Sequence, residues 1–555
     1  MRLPGFHGRA RGLLALGLAP LLSTGLAAGV AAWGPGSDAL NRLYAGLFIG
    51  VLAQCLLLAA CLTIRRPAGL PLRRALSASH AWTGAVLGAM LFVICLSGAL
   101  AVLKPELRNW EMPSERRHPS VTLDLDDILA QGLAAFPHAD VLQLDLPADG
   151  QVQARVQPAG PPQGAQNASA ALAFPPHAPV HGKLTGLLTG LHNTLYAGFP
   201  GRILVSLFGF ALGALVLGGV LLHLRQGAGL LRLRLRSGLR VLAYDAHKLL
   251  GLWLAPLLFL TAATGIFSGL GALATVQLAP YAFPEQPRQA MQALMQPYER
   301  PAAGQAASMS SLNELLDRHR QAHPAFLIQG VTVHHWGDAH AYATLRGTAR
   351  GQLSTALFER YHYALIDLAL LRHDSAAQRG AFTQAFIAVQ PLHFAQYGGA
   401  VSRWLHALAG LAGATLAASG VWLWLARHGA DSFRRPWLSG AMLGLLLACC
   451  TLFAITALTP DSWPARERWQ VWSFGLTWSG VLLYGLLPAR RRASRPVGLL
   501  RLASLLLGVA AAASLARQWG GALQAELPAL FINLLLSAAA AALWRLARRL
   551  SLGTP

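Results

Sequence analysis

The chain has 555 residues, 54% of them hydrophobic and 12% charged, with a formal net charge of +22. A soluble protein carries about twice that charged fraction, so a soluble globular class is excluded. The basic excess lies in short arginine blocks between apolar runs rather than on one continuous face, which argues against a nucleic-acid partner.

Ten apolar runs are long enough to cross a bilayer, at residues 12–32, 43–63, 78–103, 203–224, 246–272, 402–426, 437–458, 470–488, 498–516 and 527–546. A span needs about 20 such residues. Residues 1–75 hold the first two runs. The first follows a basic start and resembles a signal peptide, but its removal would break the charge alternation, so it is read as a retained helix. The third run opens "HAWTGAVLGAMLFVICLSGAL", from His80 to Leu100. An ionisable ring at the start of a span is costly and reads as functional.

Loop one (104–190) carries a helical pattern, "VTLDLDDILAQGLAAF", then two alternating stretches, "DVLQLDL" and "QVQARVQ". It also holds the irregular "PAGPPQGAQNASA", and "LHNTLYAGFPGR", after the loop, leads into the fourth run. The fifth run opens "HKLLGLWLAPLLFLTAATGIF" at His247. Loop two (273–391) repeats the order, with "SMSSLNELLDRHRQAH", then "LIQGVTVHHW" and "HAYATLRG". Helical period followed by strand period predicts two small α+β domains. "LHFAQYGGAVSR" then enters the sixth run, the segment 392–428 closing the core, and residues 429–555 hold four more runs.

Residues 76–428 are thus one unit written twice. Both spans opening on histidine read His-x-x-x-Gly (His80 and Gly84; His247 and Gly251) and reach Ser97-Gly98 or Thr264-Gly265 at the same distance. The two re-entry elements match at His192, Tyr196, Gly198 and Arg202 against His393, Tyr397, Gly399 and Arg403, with Gly219 and Gly420 following at equal spacing. Arginines fall in alternate connections, which places both termini in the cytoplasm and both large loops outside. His80 and His247 then lie near the inner face, and His192 and His393 near the outer face. The fold class expected is an all-α polytopic membrane protein of about ten spans, with a duplicated four-helix core and two small α+β external domains.

Paired imidazoles on facing helices suit the two axial positions of a b-type haem, and two pairs imply two haems, one per depth. Arg202 and Arg403 suit haem propionates or the lipid interface. His406 stands inside the sixth span with Val205 as its counterpart, and competes with His393 as the outer ligand. His181 is a weaker rival to His192, and His223 and His428 read as lipid-headgroup contacts. Interfacial packing is the bland alternative for each histidine taken alone. "HHWGDAH" in loop two (His334, His335, Asp338, His340) matches no zinc spacing and reads as a solvated hairpin. All five cysteines lie in predicted spans, and no CxxC occurs, so neither a disulfide framework nor a covalent haem is expected.

The His-x-x-x-Gly spans and the "LHNTLYAGFPGR" and "PLHFAQYGG" elements resemble the PepSY-associated transmembrane helix family, over about residues 76–428. The resemblance implies an iron-regulated protein of the bacterial inner membrane, with PepSY-like periplasmic loops. One branch of that family acts as ferrisiderophore reductases with b-type haem. It implies haem ligands at His80, His192, His247 and His393, and a ferric-siderophore substrate. No dinucleotide fingerprint is present, so the electron donor must be separate, a reductase or a membrane quinol. A siderophore or metal transporter and a non-enzymatic PepSY regulator are the alternatives.

Overall fold

The computed structural model describes residues 6–34, 36–64, 72–114, 124–146, 154–158, 172–174, 181–223, 232–234, 237–427, 434–486, 495–519 and 527–552. Most of "PAGPPQGAQNASA", together with His428, lies outside them.

Two helices open the chain, α1 (Phe6–Trp33) and α2 (Ala39–Ile64), and α3 (Leu72–Ala101) carries His80. The first loop then forms α4 (Lys104–Glu111), α5 (Leu125–Ala135), β1 (Val141–Asp145), β2 (Ala154–Pro158) and β3 (Leu172–Phe174). The chain returns through a short helix, α6 (Leu184–Thr194), and a long one, α7 (Gly198–His223). The next run is not one helix. It divides into α8 (Leu239–Trp253) and α9 (Ala255–Ala282) around Leu254, because Pro256 has no amide to continue the ladder and sits well only in a first turn.

The second loop holds α10 (Gln289–Met295), α11 (Leu312–Ala322), β4 (Phe326–His334), β5 (Tyr342–Ala349), β6 (Arg360–Ala364) and β7 (Leu370–Asp374). Next come α12 (Ala381–His393) and α13 (Gly399–Arg427). The last helices are α14 (Arg434–Leu458), α15 (Arg466–Leu486), α16 (Arg495–Trp519) and α17 (Leu527–Leu552).

Eight helices among the described residues are long and apolar enough to span a membrane: α2, α3, α7, α9, α13, α14, α16 and α17. The other two of the ten expected runs fall on α1 and α15. In α1 the described side chains, Leu18–Trp33, form an apolar stretch. α15 begins Arg466-Glu467-Arg468 and carries Gln470, Ser473 and three tryptophans, Trp469, Trp472 and Trp478, which lower its hydropathy.

The two external loops do not make two separate domains. Their strands join in one antiparallel sheet of order β3-β2-β1-β4-β5-β6-β7. The join is β1 against β4, with Leu142 opposite Val333 and Leu144 opposite Val331. Strand alternation puts Leu142 and Leu144 on the buried face. There α5 and α11 cover them with Leu125, Ile128, Leu129, Leu312, Leu315 and Leu316. The helices also cap each other. Asp124 accepts from the amides of Asp126 and Asp127, while Asp126 accepts from the Leu312 amide at 2.6 Å and from the Ser311 hydroxyl.

In the helical part, α3 packs along α13 and α7 along α9, so each half of the duplication packs against the other. One apolar core joins α3, α4, α6 and α13 to α14–α17. A second joins α1 and α2 to α9, α10 and α12.

Candidate functional site

The four matched histidines meet as two pairs. His80 and His247 have ring centroids 6.3 Å apart, with their planes at 86°. His192 and His393 have centroids 6.1 Å apart, with planes within 17°. Between His80 and Gly98, against which His192 lies, α3 rises about 27 Å, so the pairs sit at opposite depths of the helical core.

Each ring rests on a glycine of a neighbouring helix. A Cβ at Gly98 would stand 2.6 Å from His192 Cε1, and one at Gly265 would stand 3.2 Å from His393 Cε1. At the other depth the distances are 3.4 Å from Gly219 to His80 Cε1 and 3.2 Å from Gly420 to His247 Cε1. The seats are thus duplicated along with the histidines. The spacing of Gly219 and Gly420 was visible in the sequence, but their service to His80 and His247 was not. Gly84 faces open space, and a Cβ at Gly251 would make only ordinary contact with Leu416, so these two seat no ring.

Three of the four rings are oriented through Nδ1. His192 Nδ1 lies 3.0 Å from the Ile94 carbonyl, His247 Nδ1 lies 3.0 Å from Ser419 Oγ, and His393 Nδ1 lies 3.0 Å from Thr264 Oγ1. Ser97, the counterpart of Thr264, bonds the Val93 carbonyl of its own helix instead. His80 Nδ1 is buried without a partner in hydrogen-bond geometry. Engaging Nδ1 leaves Nε2 for a metal, as in metal-bound histidines generally.

The pair spacing can be tested against a metal. An ion about 2 Å from the facing nitrogens of two imidazoles puts the ring centroids about 6 Å apart. Both pairs meet that requirement. Among the described residues no group of three or more His, Cys, Asp or Glu is placed to hold a metal ion. Two donors alone hold a bare ion poorly, whereas a macrocycle that brings its own equatorial nitrogens needs only two axial ones. Two imidazoles at this spacing are the donors that such a macrocycle would need.

A cavity of about 300 Å³ opens beside the outer pair, lined by Ile94, Gly98, His192, Arg202, His393 and His406 among others. His406 is 5% exposed. Its Nδ1 bonds the Ser402 carbonyl of its own helix at 3.0 Å, and its Nε2 is buried without a partner. It stands next to the outer pair while His192 and His393 face each other. The two repeated arginines diverge. Arg202 donates to the Ser268 carbonyl at 2.7 Å and lines the cavity. Arg403 is committed to Glu106, with Nε and Nη2 at 2.9 and 2.7 Å from one carboxylate oxygen.

The remaining candidates lie elsewhere. The His181 backbone bonds Asp461 and Arg466, at the base of α15. His223, at the end of α7, has its Nδ1 buried without a hydrogen-bond partner. In "HHWGDAH" the side chains are spent separately. His334 stacks on Tyr342 at 4.2 Å, His335 pairs with Asp140 at 2.8 Å, Asp338 accepts the amides of Ala303 and Gly304, and His340 bonds the Pro301 carbonyl.

Spans, sheet and duplicated helical core define a multi-pass membrane protein with paired intramembrane histidines. Residues 77–427 match the family described as PepSY-associated TM region, and the chain belongs to that family. It is 42% identical over 358 residues to an uncharacterized protein of Pseudomonas aeruginosa, a match covering 61% of this chain and 88% of that protein.

Proposed function

We propose that the protein carries electrons across the bacterial inner membrane and reduces a ferric siderophore on the side that holds the sheet. The observation behind this reading is the pair of facing imidazole couples, each spaced for one metal and set at opposite depths. Bound b-type haem supplies reversible one-electron chemistry at each couple. His80 with His247, and His192 with His393, would hold it. Thr264, Ser419 and the Ile94 carbonyl keep the rings turned, and the glycine seats let the helices close on them. Arg202 lines the outer cavity as a cation for a propionate, whereas Arg403 is engaged with Glu106. His406 Nε2 can hold a proton beside the outer pair.

The arginine distribution orients the chain with both termini in the cytoplasm and the sheet in the periplasm. A separate reductase or quinol donates on the His80–His247 side. One electron converts ferric to ferrous iron, which hard-oxygen chelators hold less tightly, so the metal leaves the siderophore.

The test is a visible spectrum of the purified protein, oxidised and dithionite-reduced, with a pyridine haemochrome count. The expected result is about two b-type haems per chain, from the two ligand pairs. Alanine at His80 or His247 should remove one, and alanine at His192 or His393 the other. A ferric siderophore should reoxidise the reduced protein. Protein that stays colourless after expression with added haem would sink the reading.

A further inference from the structure

A second cavity, of about 770 Å³, lies in the external domain, away from the four matched histidines. Its floor is one face of the sheet, from β4, β5 and β6, and its rim is the segment Pro297–Pro301. The volume falls in the range of small-ligand sites.

Two features set the chemistry. The first is a set of unmet donors. Arg300 Nη1, Arg346 Nε and Arg360 Nε are all buried without a hydrogen-bond partner, and all three residues line this cavity. Buried guanidinium donors are costly to leave unpaired. Arg346 Nη2 donates to Asp145 and Arg360 Nη2 to Asp374, at 2.9 Å each, and Arg360 Nη2 also reaches the Met295 and Gln296 carbonyls. Among the described residues Arg300 makes no ion pair, and Glu299 is the acid that shares the rim.

The second feature is an aromatic wall. Tyr298 lies 4.4 Å from the His362 ring and 5.2 Å from the Tyr342 ring, and Tyr342 stacks on His334 at 4.2 Å. Flat rings on such walls gain stacking energy, and a guanidinium fork matches a carboxylate.

We propose that this cavity binds a planar aromatic carboxylate, its ring against Tyr298 and Tyr342 and its carboxylate on Arg300, with Arg346 and Arg360 supplying further donors. The site requires neither haem nor electron transfer, so its failure would leave the proposed function standing, and the reverse holds too.

The experiment uses the full-length protein in detergent. It is titrated with naphthoate, followed by calorimetry and by the fluorescence of the probe. Naphthamide presents the ring without the charge, and cyclohexanecarboxylate the charge without the flat ring. Saturable naphthoate binding is expected at one site per chain, at least tenfold weaker for either control. Arg300→Gln should weaken it at least tenfold, as loss of a charge-assisted bond does. Tyr298→Leu provides an independent variant should Arg300→Gln fail to fold, with a similar loss expected. No saturable binding to the unaltered protein would overturn the proposal. So would undiminished binding in the folded variants, or equal binding of naphthamide.

Discussion

At the scale of single residues, the glycine seats show how closely the helical core is fitted to its histidines. A Cβ at Gly98 would stand 2.6 Å from His192 Cε1, closer than two carbons tolerate, so the ring or α3 must move. If the proposed haems are bound, Gly98→Val should lower the haem count by one and leave the inner site filled, read by haemochrome stoichiometry. Gly84→Ala faces open space and should change neither. In the external domain, His319 is 1% exposed and bonds Tyr363 through Nδ1 at 2.9 Å. Burial, followed by the nearby His323 and His373, lowers its pKa from 6.5 to about 4. Burial and then His335 lower His334 likewise to about 4. The unfolded chain thus takes up these protons first. The stability these neutral rings contribute is present above pH 6.5 and is lost as the pH falls from 6.5 to about 4. Unfolding followed by tryptophan fluorescence should show that loss. His319→Phe, which cannot titrate, should flatten its slope.

At the scale of elements, His192 and His393 sit where helices break. α6 ends with Leu195 and Tyr196 at positive φ (50° and 58°), and α7 starts at Gly198 with φ 58°. α13 starts in the same way at Gly399, φ 59°. These breaks bring His192 and His393 onto short helices of their own. α15 has a different task. Arg466 and Gln470 are fully buried, and Arg466 donates to the carbonyls of His181, Glu111 and Thr456. Gln470 reaches Glu111 Oε1 at 3.0 Å, and Glu111 in turn accepts the Leu184 amide that opens α6. The polar start of α15 is thereby tied to the helix that carries His192. Arg466→Met should cost about 3–5 kcal/mol, the range for breaking a buried charged network. Thermal unfolding in detergent would measure it. A change under about 1 kcal/mol would instead place Arg466 among weakly coupled surface charges.

At the scale of the whole molecule, the duplication is completed by exchange. α3 of one half packs on α13 of the other, and α7 on α9. The external sheet does likewise through β1 and β4, and Arg346 of the second loop reaches Asp145 of the first at 2.9 Å. Loop two expressed alone would expose β4 as an unpaired edge. It should dimerise or aggregate, whereas a fusion with the β1–β3 segment should stay monomeric. Size-exclusion chromatography with light scattering would decide between these outcomes.

The sequence alone determined the membrane class, the two matched histidine pairs, and the helix and first strands of each loop. Those features depend on local period, run length and charge, which a chain displays along its length. β6 escaped because Tyr361, His362 and Tyr363 break the apolar alternation that marks a strand. The tertiary structure decided that the two loops share one sheet, that Arg403 is taken by Glu106 while Arg202 lines the cavity, and that Gly219 and Gly420 seat the rings. It also brought three arginines from distant segments to one cavity. Such facts are contacts between residues far apart in the chain, and no local pattern encodes which distant partner a strand edge, a guanidinium or a ring will meet.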